Sequence, residues 1–465
     1  MRFYLYLVVF LISSLAAEAW ACSCAGPPTL IKQAFDQAKT VFSARVGEIR
    51  KNEYGYDEEA ILAIDKVWKG DPDKKFLAIF LRDQCTFTRF EVDKSYLVYA
   101  HRGWNKNIPD SYHVSMCSRT KFLDKGRIEA RYLDAIVANK DTKFIDQSLL
   151  DILKSKEEEN TVRIEAVELL GQMIEVDAEH VPEGTLDALI NAAKSGDAES
   201  KLAIIDSLLN QNSRGREEVK EALLRLLKDD DQSVSNAAAE VIVILTNSDS
   251  TVFKALIQEL EEARLKEWKD ANLYESTLAT LGVAIARATS TDMERAKTAD
   301  LLYEMLDQVS HPSRKSSIIR SLGRQKEYAK KAIPKLLETL KVADDDYVKS
   351  AAIVALGEVK AMEGLEHIKP YTKDMDCAIA INAIEAIYKI DAKKFSGVFR
   401  NEAVKQMKKR FESSELFCKM HVVTALKTLG PAAKNMKPFL IEKYKAVSED
   451  EWLGNELKGI IDALP

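Results

Sequence analysis

Cys22-Ser23-Cys24 is the place where this chain can do chemistry with its own backbone. It follows Ala19-Trp20-Ala21, and Ala-x-Ala is the small-residue pattern behind which a signal peptidase cuts. Met1 and Arg2 supply a short basic start, and Phe3 to Ala17 an apolar run. Residues 1–21 therefore read as a cleaved signal peptide, and cleavage after Ala21 leaves Cys22 first in the mature chain. Its free α-amine would titrate near ~7.7–8.0, so a useful fraction is neutral near pH 7 and able to ligate a metal. The expected location is secreted or periplasmic, where thiols oxidise. Two alternatives remain at these residues. An uncleaved anchor would need a longer run, since roughly 20 apolar residues span a bilayer. A lipid anchor on Cys22 would usually want Leu and then a small residue at the third and second positions before it; Ala19 and Trp20 stand there.

The elements that must position these residues follow from pattern. Thr29 to Ala38 carries apolar residues at 30, 31, 34, 35 and 38, a helical stripe. The period then changes to two. Val41–Val46, Ala60–Trp68, Phe76–Phe80 and Ser95–Ala100 read as strands, and Lys69-Gly70-Asp71-Pro72 as a turn. Gly126 to Val137 returns to helix. Roughly five strands flanked by helices suit a small closed β-barrel of the OB type over residues 22–138.

These residues resemble the netrin-like (NTR) module, whose best-known members are the tissue inhibitors of metalloproteinases. The resemblance rests on Cys22-Ser-Cys-Ala25, Gln33-Ala-Phe35, Val41–Val46, Val67-Trp-Lys-Gly70, Cys85, Tyr96-Leu-Val-Tyr99 and Cys117-Ser-Arg-Thr120. It implies an OB-type barrel with one disulfide from Cys22 to Cys85 and another from Cys24 to Cys117. Both would pin the N-terminal segment to the barrel, at about 4 kcal/mol each on a chain-entropy argument. It also implies an inhibitor mechanism, in which the Cys22 amine and carbonyl chelate a protease's catalytic zinc and Ser23 enters the neighbouring specificity pocket. The chain departs from the inhibitors in two places. Asp36 stands where they carry a further cysteine, and Gly26-Pro27-Pro28 differs from their binding ridge. NTR modules of netrins and complement proteins bind other proteins and inhibit nothing.

From residue 145 to 465 the apolar period is helical throughout. A unit recurs, ending in Leu-Gly or its equivalent: Val162–Gly171, Lys201–Leu209, Val234–Ile242, Tyr274–Gly282, Arg314–Gly323, Val348–Gly357, Ile379–Ile387 and His421–Gly430. Its small or apolar key positions are 166, 205, 238, 277, 318, 352, 383 and 425. Another amphipathic helix precedes each, and the acidic turns Asp229–Asp231 and Asp344–Asp346 can cap the second helix of a pair. The region resembles a HEAT-repeat array of about eight repeats, an all-α solenoid in which stacking supplies the core. Such arrays bind other proteins along an inner face. Cys377 and Cys418 fall near the starts of helices in neighbouring repeats and either bond or remain as two buried thiols.

Composition narrows the function classes. A net charge of −6 gives no electrostatic reason to bind nucleic acid, and no second segment is apolar enough to span a membrane. The six histidines are scattered, and no Cys-x-x-Cys has zinc spacing, so neither an intrinsic metal nor a cofactor is expected. No nucleophile–base–orienter set is visible, and the carboxylates of the helical region read as solvated surface. The chain is thus expected to be a non-enzymatic protein-binding scaffold. The alternative is an inhibitor whose partner is a zinc metalloprotease.

Overall fold

A computed structural model describes residues 30–51, 58–70, 76–81, 90–102, 112–114, 118–140, 143–155, 158–176, 181–209, 213–246, 249–412, 416–445 and 452–465. Cys22, Ser23, Cys24, Cys85 and Cys117 lie outside them, as does the junction after Ala21. The chain divides into two units, one ending at Thr246 and the other beginning at Asn247. The boundary expected between residues 138 and 145 therefore falls inside the first unit.

Unit 1 opens with helix α1 (Ile31–Gln37), held at its end by Lys69, whose Nζ donates to the Phe35 and Asp36 carbonyls at 2.8 Å. Free carbonyls at a helix C-terminus favour a cation there. Asp36 pairs with Lys32 one turn back. Six strands follow: β1 (Thr40–Lys51), β2 (Glu58–Lys69), β3 (Phe76–Leu81), β4 (Ser95–Arg102), β5 (Tyr112–His113) and β6 (Lys121–Phe122). β1 pairs antiparallel with β2 on one side and with β4 on the other. β2 pairs with β3, β3 runs parallel to β5, and β5 pairs with β4, so the pairings return to β1. β6 adds to β4. β1 and β2 are longer than the apolar runs that announce them, because their polar ends continue the same ladder.

Side chains alternate across a strand. Phe42, Ala44 and Val46 of β1 and Tyr96, Val98 and Ala100 of β4 accordingly point into one core with Leu62, Phe90 and Val114. The opposite face of β4 presents Leu97 and Tyr99, also fully buried. A 3-10 turn and α2 (Arg127–Val137) cover it.

Helices α3 (Lys143–Lys154), α4 (Asn160–Val176), α5 (Thr185–Ala192), α6 (Ala198–Leu208), α7 (Glu217–Leu226) and α8 (Gln232–Leu245) complete unit 1. α4, α6 and α8 pack side by side as one layer; α3, α5 and α7 form the layer behind. Unit 2 repeats the plan with α9 (Ser250–Leu265), α10 (Ala271–Ala288), α11 (Asp292–Met305), α12 (Pro312–Gly323), α13 (Ile333–Val342), α14 (Asp346–Glu358) and the short α15 (Leu365–Ile368). It ends with α16 (Cys377–Ile390), α17 (Gly397–Phe411), α18 (Leu416–Leu429), α19 (Lys437–Tyr444) and α20 (Trp452–Ala463). Here α10, α12, α14, α16, α18 and α20 make the continuous layer. The recurring sequence unit is thus one helix of this layer in each repeat. The acidic turns do cap: Asp231 accepts from the Ser233 and Val234 N–H groups, and Asp345 from Val348 N–H.

Small residues let these helices approach closely. A Cβ on Gly323 would lie 2.8 Å from Ala355 Cα, and one on Gly357 2.8 Å from Ala386 Cα. Cys377 and Cys418 are bonded, with Cα atoms 5.7 Å apart. Packed helix axes about 8–10 Å apart allow this, because each Cα projects ~2.3 Å from its own axis toward the partner.

Candidate interaction surface

Two sites draw attention in unit 1, one buried and one open. The buried site joins the sheet to the first inner helix. Arg119 forks onto Glu129 of α2, Nε to Oε1 at 2.6 Å and Nη2 to Oε2 at 2.8 Å, while Nη1 donates to Gln172 of α4 at 2.7 Å. The Tyr99 hydroxyl donates to Glu129 at 2.7 Å, and Lys121 lies 3.1 Å from the same carboxylate. Burial alone would raise the Glu129 pKa, but Arg119, Lys121 and these hydrogen bonds hold it down at about 2. One helix further, Glu165 of α4 accepts the Ile128 and Glu129 N–H groups at 2.9 and 2.8 Å, capping α2 from outside. Burial nonetheless pushes the Glu165 carboxyl up to about 7. A carboxylate read as solvated surface is thus a buried cap.

The open site is the solvent face of the α4–α6–α8 layer. Glu168 and Asp206 are exposed, yet desolvation raises both pKa values; Lys121 and Lys125 offset part of it for Glu168, and nothing offsets it for Asp206. Both stand on the solvent side of the layer, close enough to neighbouring protein for their charged forms to lose hydration.

Unit 2 has the corresponding face on α12, α14, α16 and α18. Arg320 Nη2 donates to Ser350 Oγ at 3.2 Å, and Asn382 Nδ2 donates to the same oxygen at 2.8 Å. Burial, then Arg324, lowers the Arg320 pKa; burial lowers that of Arg324, with Glu358 opposing. Burial, then Arg320, lowers His421 of α18, against Asp376 and Glu385. Arg320 on α12 and His421 on α18 belong to one layer, with α14 and α16 between their helices. Lys389 lies 2.7 Å from Glu358 and 2.5 Å from Glu385, and the Thr428 hydroxyl donates to Glu385 at 3.0 Å.

One repeat position supplies much of this face. Ala355, which meets Gly323, stands two residues before Gly357. By the same offset Ser207, which meets Gly171, refers to Leu209, and Ala386 refers to Tyr388. Three residues before each of these reference residues stand Glu168, Asp206, Arg320, Val354 and Glu385. This alignment moves the key position of the second repeat from Ile205 to Ile204. The repeat pattern carried the signal for this face; the apolar key positions alone did not name its charges.

The family match falls in the helical region. Residues 147–242 match the family of HEAT repeats. No curated protein matches the chain. Among solved structures, importin beta is similar at 15% identity and a TM-score of 0.49, over 72% of this chain and 46% of that one. The complex of CpcE and CpcF of phycocyanin lyase from Nostoc sp. PCC7120 is similar at 16% identity and a TM-score of 0.36, over 52% of this chain and 93% of that one. No described helix is long and apolar enough to cross a membrane.

Proposed function

We propose that this chain is an exported, non-enzymatic scaffold that grips other proteins with the open faces of its inner helix layers. HEAT arrays bind proteins, and the observation that carries the reading is the pair of open, charged faces on the helix layers. We further read the ring of strand pairings from β1 through β2, β3, β5 and β4 back to β1 as an OB-type barrel of the NTR kind. The NTR-like start, the signal peptide and the bonds Cys22–Cys85 and Cys24–Cys117 belong to the same proposal. On this reading the barrel anchors the array, through Arg119, Glu129 and Glu165, and the mature N-terminus is stapled to it.

The inhibitor reading makes a different demand on Cys22. Adding one alanine before it converts the ligating amine into an amide, a poor zinc ligand. The scaffold reading expects partner capture to be unchanged by this extension, and mass spectrometry of the exported chain to begin at Cys22. Inhibition of a metalloprotease that the extension abolishes would reverse the choice.

A further inference from the structure

The inner helices of unit 2 are not all held together in the same way. At one repeat position α10, α12 and α14 carry Gly282, Gly323 and Gly357, whereas α16 carries Tyr388. Gly323 and Gly357 lie against the backbone of the next inner helix, at Ala355 and Ala386, where a Cβ would not fit. Tyr388 instead meets Phe395 edge-on, with ring centroids 5.6 Å apart. Ile381 and Ile384 of α16 share a core with Val422, Ala425 and Leu426 of α18. Further along the two helices, Thr428 donates to Glu385 at 3.0 Å. The seam between α16 and α18 thus lacks the glycine that brings α12 and α14 close to their next neighbours.

The other end of the same seam carries the Cys377–Cys418 bond. Cys377 is the first residue of α16 and Cys418 the third of α18. Cys418 is buried, and Cys377 packs against the core that the two helices share. The bond joins residues 41 apart in sequence, and α17 lies in the loop it closes. Helices α18 to α20 reach the rest of unit 2 through α16 and α17, so the covalent link lies on their path of attachment. A crosslink restricts the opened chain, and more so the longer the loop it closes.

We propose that the Cys377–Cys418 bond is an oxidation-dependent lock on this seam. Oxidised, it holds α18 to α20 on the layer; reduced, the layer opens first between α16 and α18. Closing the lock passes two electrons from the two thiols to a disulfide-bearing oxidant, whose sulfurs take up the two protons and leave as thiols. Opening it is the reverse, with a dithiol that leaves as a disulfide. Thr428 and His421 belong to α18, so reduction takes this helix's share out of the open face of unit 2. The lock goes beyond the scaffold reading and needs neither the barrel nor the mature N-terminus.

The test is hydrogen exchange read by mass spectrometry on the full mature chain, oxidised and then reduced with dithiothreitol. Reduction should speed exchange of the backbone amides in α18, α19 and α20 by about tenfold or more, and leave α10 to α14 unchanged. Cys377→Ala with Cys418→Ala should exchange fast in α18 to α20 without reductant and gain nothing further there on its addition. That variant separates this bond from the other cysteines of the chain. Glutathione disulfide should restore slow exchange in the reduced wild type and not in the variant. Should the variant fail to fold, the oxidised and reduced wild type carry the test alone, since they differ at this seam only by the bond. Unchanged exchange in α18 to α20 on reduction, equal acceleration in α10 to α14, or slow exchange in the variant without reductant overturns the proposal. Non-reduced peptide mapping that finds both thiols free in the oxidised chain overturns it as well. Each of these results leaves the scaffold reading standing, because capture of partner proteins is measured separately.

Discussion

The inner faces of the two units share a helix plan and differ in charge. At one repeat position unit 1 presents Glu168 and Asp206, both acidic, whereas unit 2 presents Arg320, Val354 and Glu385, a mixed set. Behind both faces lie the same kinds of packed residue: Ala166, Leu170 and Ile204 in unit 1, and Ala352, Leu356 and Ile384 in unit 2, all fully buried. The packed side of an inner helix is fixed by its neighbours, whereas the open side is free to vary. Charge on that side is therefore information about partners and not about the fold.

The comparison can be broken from its packed side. Ala352 is fully buried between inner helices, so Ala352→Asp should cost several kcal/mol, about 3 or more, and unfold at least its own repeat. Loss of helicity in the thermal melt would register it; an unchanged melt would mean that the repeat register is wrong. In unit 1 the corresponding weak point is polar. Glu129→Ala leaves Arg119 buried without its carboxylate, which should destabilise the unit by about 3–5 kcal/mol in urea titration. Full stability in that variant would show that the sheet does not depend on the ion pair.

A smaller effect separates the two carboxylates of this network by sign. Glu129 is held near 2 in the folded state, below its unfolded 4.5, so its contribution is present above 4.5 and is lost as pH falls toward 2. Glu165 is raised to about 7, so the folded chain binds its proton more tightly; that contribution is complete below 4.5 and is lost as pH rises toward 7. Glu165→Gln should therefore remove a fall in stability on the order of 2 kcal/mol between those pH values. Denaturant midpoints at a series of pH values read this directly, and identical slopes for wild type and variant would contradict the Glu165 assignment.

The helical region was legible because period, Leu-Gly endings and acidic turns repeat, and each repetition is a separate vote for the same helix pair. The strand positions were legible from alternation at Val41–Val46 and Ser95–Ala100. The buried polar network was not. Arg119 sits in Cys117-Ser-Arg-Thr120, and Glu129 follows on a helix whose pattern shows only its apolar stripe. Glu165 lies in Val162–Gly171 among residues that look solvent-facing, and only the docking of α2 against α4 buries it. The open-face charges escape for a related reason: a charge on an isolated solvated helix and one on the open side of a packed layer have the same sequence signature. For Cys377 and Cys418 helix spacing by itself admits both a bond and two thiols, and the bond is the one formed.

The most direct test of the central claim compares capture of proteins from the exported fraction of the producing cells by four forms of the mature chain. These are the wild type, Glu168→Lys with Asp206→Lys, Arg320→Glu with Arg324→Glu, and the form extended by one alanine before Cys22. The account predicts, by quantitative mass spectrometry, a partner that the wild-type and extended forms retain equally and that at least one charge-reversed form loses by about tenfold. Equal recovery on both charge-reversed forms, with loss only on the extended form, would contradict it and move the function to the N-terminus.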